Sequence, residues 1–272
     1  MIKDWYKKEL SISSLQKRNG STNRKKDVMK IQSWLNLYSI GNPLSSTATG
    51  IDGDFGPATE KAVKNFQKAE GMNQTGTVSH ALFAKLCNPL REAFEQPLSG
   101  SSFRELVLEV AENHLKNQPY ELIIKGQSNS GPWVRSYMDG NDGSPWFWCM
   151  GFAQAIVDQA ASAIDKRFTG LMPKTYSCDT VGTTGLNKGL LTRYQTLRRQ
   201  PERIEPGDIF LLQKSRFDWV HTGIITRRIG DIIETIEGNT NNEGSRNGIA
   251  VMKRVRNYRK SKIDVFSVAP LA

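Results

Sequence analysis

The chain has 272 residues, of which 38% are hydrophobic and 24% charged, with 23 Gly and 11 Pro. That composition excludes fibrous, low-complexity and mainly disordered classes, and the length predicts two globular domains. Three cysteines and three histidines, without a CxxC pair or an HExxH motif, exclude a disulfide framework and a zinc-peptidase centre, so no metal or other cofactor is expected. The formal charge of +10 implies attraction to polyanions, and its spread along the chain predicts a solvated surface with no nucleic-acid partner.

The first residues carry Lys3, Asp4, Lys7 and Lys8 where a secretory leader needs an apolar run, and no apolar stretch is long enough to span a bilayer. Synthesis in the cytoplasm without a Sec signal is expected, with no membrane insertion. Helical periodicity begins with Val28, Ile31 and Leu35, widened by Trp34 and Leu37, and predicts a helix over 26–38. After the turn-rich stretch 49–56, Pro57 opens a second helix carrying Ala58, Ala62, Val63 and Phe66, which stops near Gly71. A third helix is predicted over 79–86, capped by Thr77 or Ser79. In the turn, Asp52 and Asp54 are expected to bond backbone amides, and Thr59 or Asp54 to satisfy the free amides of the second helix.

These residues carry a resemblance. Gln32 and Leu35 in the first helix, the run Asp52-Gly53-Asp54-Phe55-Gly56-Pro57 with Thr59-Glu60, the run Ala62-Val63 with Phe66-Gln67, and Thr75-Gly76-Thr77-Val78 stand in the order found in peptidoglycan-binding domains of cell-wall hydrolases. Residues 28–86 resemble that family. The resemblance implies an all-α three-helix module with peptidoglycan as partner, the motif specifying the scaffold and the contacts lying on neighbouring loops.

Residues 89–101, with Pro89, Pro97, Ser99 and Gly100, read as a linker between a helical domain at 1–88 and a second domain at 102–272. A helix follows, with Phe103, Leu106, Val107, Val110, Ala111 and Leu115 on one face and Ser101 or Ser102 as cap. His114, at the edge of that face, reads as a packing histidine. Cys149 ends the turn-rich approach 139–149 and opens a helical stretch, where oriented amides favour the thiolate and make it a nucleophile. Cys178, at a second such helix start, is the alternative nucleophile, and Cys87 reads as packing. Arg193, Arg198, Arg199 and Arg203 read as a solvated face that, beside a wall-facing cleft, meets anionic polymer.

The C-terminal text is strand-like over 208–212, 220–226, 232–237, 249–255 and 263–268, the pattern of an antiparallel meander. A three-residue hairpin loop at 228–230 sets Arg227 opposite Asp231 and therefore His221 opposite Glu237. Asn239 is expected on the same side of that strand, so Glu237 and Asn239 both remain open as the partner of His221. A helix-terminal cysteine, a histidine on a strand and an acidic or amide residue on the next strand is the papain-like arrangement.

Pro145-Trp146 before Cys149, Pro206-Gly207-Asp208, Val220-His221-Thr222-Gly223 and Ile236-Glu237-Gly238-Asn239 resemble the CHAP family of cysteine, histidine-dependent amidohydrolases and peptidases. The resemblance implies an α+β papain-like domain with an antiparallel sheet, Cys149 as nucleophile, His221 as base and then acid, Glu237 as orienting residue and Asn239 as a further polar candidate. The function so expected is cleavage of a peptidoglycan amide, sugar–peptide or within the stem or cross-bridge, through a thioester. A non-catalytic wall-binding protein is the alternative. The expected protein is a monomer that reaches the wall or periplasm by lysis or specialised secretion, as a phage endolysin or a secreted toxin does. A toxin implies an immunity protein as partner.

Overall fold

The computed structural model describes residues 1–243 and 247–272. In chain order the elements are α1 (Tyr6–Glu9), α2 (Lys25–Gly41), α3 (Pro57–Ala69), α4 (His80–Leu86), α5 (Asn88–Glu95), α6 (Phe103–Lys116), β1 (Leu122–Ile124), β2 (Gln127–Ser130), α7 (Pro132–Tyr137), α8 (Cys149–Ala163), α9 (Cys178–Asn187), β3 (Leu191–Thr192), α10 (Tyr194–Leu197), β4 (Ile209–Ser215), β5 (Asp218–Ile229), β6 (Ile232–Thr240), β7 (Ala250–Asn257) and β8 (Ile263–Phe266). They form two compact units. One comprises Trp5–Glu92 with Tyr120–Ser144, the other Met1–Asp4, Ala93–Pro119 and Pro145–Ala272.

In the helical unit, α2, α3 and α4 occupy the three predicted helical stretches. Val28, Ile31, Leu35, Ala62, Val63 and Phe66 are buried at the predicted spacings, and each of the larger side chains contributes roughly 1.5–3 kcal/mol relative to exposure. Ser79 caps α4 by accepting from the Leu82 amide at 3.2 Å. At α3 the cap position is Gly56, with no side-chain bond to the helix amides, and Pro57 begins the helix. Thr59 and Asp54 therefore do not cap it. Gln32 instead gathers the turn: its Nε2 donates to Asp52 Oδ1, the Asp54 backbone carbonyl and Thr59 Oγ1 at 2.8, 2.9 and 3.0 Å, while its Oε1 accepts from the amides of Asp52 and Gly53. Asp52 does bond a turn amide, that of Asp54, at 2.8 Å.

The division of the chain differs from the expected one in two respects. Residues 120–144 belong to the helical unit, because α7 packs Trp133 edge-on against Trp34 at 5.9 Å and places Arg135 in a two-point ion pair with Glu9 at 2.8 and 2.9 Å. The stretch read as a linker begins with helix α5, in which Leu90, Ala93 and Phe94 are buried at helical spacing. Pro89 does not prevent this helix, because a proline in the first turn costs no intrahelical hydrogen bond.

The other unit is built on a six-stranded antiparallel sheet in the order β3-β8-β4-β5-β6-β7. The meander β4–β7 covers the predicted strands, and β8 returns to pair with β4. Helices α6 and α8 pack together, and α8 lies on β5 and β6. Ser102 caps α6 in a reciprocal box with Glu105. His114 is fully buried, bonded to Gln159 Oε1 at 3.1 Å, and burial holds its pKa down at about 4, which fits the packing role. A core of Leu197, Ile204, Phe210, Ile225, Ile233 and Tyr258 fills part of the sheet unit.

Candidate functional site

Cys149 is the first residue of α8, preceded by the exposed pair Trp146 and Phe147 and the fully buried Trp148. It is a free thiol, almost wholly buried, on the wall of a cavity of about 450 Å³ that Phe147, Tyr176, Cys178, Asp179 and Trp219 also line. His221 reaches the thiol from the middle of β5, and the two side chains shift each other's proton affinity.

The hairpin that brings Glu237 to His221 differs from the predicted one. Ile229 pairs with Ile232, so the loop is the two-residue Gly230-Asp231, with Gly230 at φ 55°. Glycine at the first central position of a two-residue loop is the arrangement that matches strand twist. A register irregularity between Ile225 and Arg227 then moves the pairing back by one, giving Ile224 opposite Ile236. The two departures leave the pairing displaced from the predicted one by two residues, an even number, so Glu237 keeps its face of the sheet. It reaches His221 diagonally, Oε2 lying 2.8 Å from the ring Nε2. Gly223 makes the reach feasible: a Cβ there would stand 2.8 Å from Glu237 Cγ and 2.7 Å from the Ile236 carbonyl.

Both carboxylate oxygens of Glu237 are fully engaged. Oε1 accepts from Thr235 Oγ1 at 2.6 Å and from Arg256 Nε at 2.5 Å, and Oε2 accepts from Arg256 Nη2 at 2.5 Å besides facing His221. Burial alone would raise the Glu237 pKa, but the bonds from Arg256 and His221 outweigh it and hold the group at about 2. Burial likewise opposes a charged His221, yet contact with Cys149 and Glu237 lifts its pKa to about 9. Contact with the Cys178 thiol, and then with His221, holds the Cys149 thiol well below its ordinary value against the opposing effect of burial. The combination favours a thiolate–imidazolium pair at neutral pH. With Nε2 anchored on Glu237, Nδ1 is the ring nitrogen left to the Cys149 thiol, and it has no other hydrogen-bond partner among the described residues.

The structure thus brings together Cys149, His221 and Glu237. Asn239 makes no side-chain hydrogen bond to any of them. Asn239 lies in the left-handed backbone region at φ 55°, where the β6–β7 register breaks between Glu237 and Thr240, so the alternation that would align it with Glu237 is interrupted. Its side chain is fully buried and has no hydrogen-bond partner among the described residues, His221 included. His221 interacts with Cys149, whereas the groups that shift Cys178 are Cys149 and Asp179, so the imidazole serves Cys149.

Arg256 was not among the predicted site residues, since the predicted strand ends at 255. A signal for it existed in principle: a buried carboxylate needs a cation, and Arg254 and Arg256 alternate on the strand next to Glu237. Arg193 is not free to meet a polymer. Its guanidinium bonds Asp264 Oδ2 and the Arg216 carbonyl at 2.9 and 2.6 Å and lies over the Trp219 ring. Cys87 packs as expected, its pKa raised to about 11 by burial.

Among the described residues no group of three or more His, Cys, Asp or Glu side chains is placed to hold a metal ion, and no helix is long and apolar enough to cross a membrane. Residues 24–86 match the model of the peptidoglycan binding domain family. The match falls within the helical unit, indicates peptidoglycan as a partner and supports association with the cell wall. No curated protein and no solved structure matches the chain.

Proposed function

We propose that this protein is a peptidoglycan hydrolase whose sheet unit is a papain-like, CHAP-type domain that cleaves an amide through Cys149. The observation that carries the reading is the line of contacts from the Cys149 thiol to His221 and from His221 Nε2 to Glu237 at 2.8 Å, at the wall of a cavity. The thiolate attacks the amide carbonyl carbon, and the resulting oxyanion is met by backbone N–H groups at the start of α8. His221 gives its Nδ1 proton to the leaving amine as the C–N bond breaks, leaving a thioester. Water then loses a proton to His221 and attacks the thioester, releasing the acid and restoring the thiolate. Glu237, anchored by Arg256 and Thr235, orients the ring and stabilises its charged form without itself taking up a proton. Asn239 has no part in this scheme.

The peptidoglycan-binding module raises the concentration of wall polymer seen by the site. The place of action in this reading is the wall, reached by lysis or specialised secretion. The test is mass spectrometry of soluble products from purified sacculi of two peptide chemotypes, treated with wild type and with Cys149→Ala. Products that appear only with wild type support hydrolysis, and their masses identify the bond. The rate should fall above pH about 9 as His221 loses its proton. Both proteins pelleting with the wall, with no new products, would leave a wall-binding protein and sink the enzymatic reading.

A further inference from the structure

Cys178 is the second thiol of the cavity, and the mechanism above does not use it. Like Cys149, it is the first residue of a helix and almost fully buried. Its position is built from several sides. Ser177 caps α9, accepting from the Thr180 amide at 3.2 Å. Asp179, the next residue, accepts the Trp219 amide at 2.6 Å, which ties the start of α9 to β5 two residues before His221. Further along α9, a Cβ on Gly182 would stand 2.5 Å from the Trp219 ring, so the helix lies directly against that side chain. Trp219 is itself fixed by its indole N–H to Asp264 at 2.8 Å. From the other side, Gln154 of α8 bonds the Pro173 carbonyl and the Thr175 amide at 2.9 and 3.1 Å, holding the segment that leads into α9. The strand that carries His221 and the helix that carries Cys149 therefore both hold Cys178 on the wall of the cavity that Cys149 also lines, where the two thiols shift each other's proton affinity.

We propose that Cys178 is a positioning residue whose S–H donates a hydrogen bond to the Cys149 thiolate, so that the reacting sulfur is held between two donors, the imidazolium and a second thiol. The inference rests on Cys149 being the nucleophile. The two thiols play unequal parts: contact with Cys149 and burial push Cys178 well above the ordinary thiol range, which keeps it protonated as a donor. An attacking thiolate that is also held by a neutral donor stays charged in a buried site while keeping its direction toward the cavity.

The experiment is the pH dependence of iodoacetamide alkylation of Cys149, located by peptide mass mapping, in full-length wild type, Cys178→Ala and Cys178→Ser. Wild type should be alkylated with a thiolate pKa below that of a free cysteine. Loss of one charge-assisted bond is expected to raise that pKa by about one unit or more in Cys178→Ala and, at pH values below both pKa values, to slow alkylation by roughly tenfold. Cys178→Ser, which keeps a donor, should stay within about threefold of wild type. A Cys178→Ala profile that coincides with wild type would overturn the donor role and leave the nucleophile reading intact. Equal losses in the Ala and Ser variants would overturn it too, as the mark of a packing role. An ordinary thiol profile for Cys149 in wild type would remove both. Circular dichroism melting of each variant confirms that the comparison is between folded proteins.

Discussion

Each unit contains a buried polar side chain that gathers several partners, and the two differ in kind. Gln32 in the helical unit is a neutral amide whose nitrogen and oxygen both bond a turn and its flanks. Glu237 in the sheet unit is a charge, held by Arg256 and Thr235, that passes its field to a histidine whose other nitrogen is left to the Cys149 thiol. A saturated neutral network specifies backbone geometry and has nothing left with which to react. A charged network that ends in an open donor stores an ionisation state, and that is the property chemistry needs. The same contrast separates the two buried histidines: His114, beside a neutral Gln159, is pushed down to about 4, whereas His221, beside Glu237 and Cys149, is lifted to about 9.

The largest way to break the contrast is Arg256→Met, which leaves Glu237 as a buried carboxylate without its main cation. Breaking a buried pair from one side costs roughly 3–5 kcal/mol, so the melting transition of the sheet unit should drop steeply, along with any hydrolysis. Arg256→Lys restores the charge but not the two-point geometry, and should recover part of the stability and less of the rate. A melting profile unchanged by Arg256→Met would show that Glu237 does not depend on Arg256. The counterpart is Gln32→Leu, which strips partners from the amides of Asp52 and Gly53 and should cost roughly 2–3 kcal/mol. Wall pelleting should weaken in this variant while alkylation of Cys149 keeps its wild-type pH profile. A shift in that profile would contradict the assignment of Gln32 to the scaffold alone.

The two networks were unequally legible in the sequence. Gln32 stands in a motif whose turn chemistry is written in Asp52, Gly53 and Asp54, so its neighbourhood was foreseeable, although its replacement of the expected Thr59 cap was not. His221 and Glu237 could be paired because strand alternation has a period of two, and parity survived a loop one residue shorter than predicted and a bulge. Nothing in the letters announces the positive φ of Asn239, which interrupts the strand alternation after Glu237. Strand alternation offers Arg254 and Arg256 alike as the cation for Glu237 and does not say which of them reaches along the sheet to it. The neighbourhood of Cys149 and Cys178 depends on Gln154, Asp179 and Trp219 acting across three elements, a tertiary fact with no local signature. Helix α5 stands in a stretch where Pro89 and Pro97 read as breakers, although Pro89 falls in the first turn and Pro97 beyond the helix end, positions where proline costs the helix no hydrogen bond.

The smallest effects test whether the units respond separately. Ser79 caps α4 in the helical unit with one bond, and Ser102 caps α6 in the sheet unit with a reciprocal box. Replacing a capping serine by alanine typically costs ~1 kcal/mol. Ser102→Ala and Ser79→Ala should both fall near this value, since each removes one side-chain bond to a helix amide while Glu105 keeps the backbone amides of Ser101 and Ser102 as partners. Neither residue touches the Gln32 or the Glu237 network, so differential scanning calorimetry should show each substitution lowering the transition of its own unit, with wall pelleting and Cys149 alkylation unchanged at 25 °C. If both substitutions lowered a single shared transition by the same amount, the units would unfold as one. The contrast between a scaffold network and a reactive one would then be a difference of chemistry within one cooperative structure, and Gln32→Leu would be expected to weaken the Cys149 site in proportion to the stability it removes.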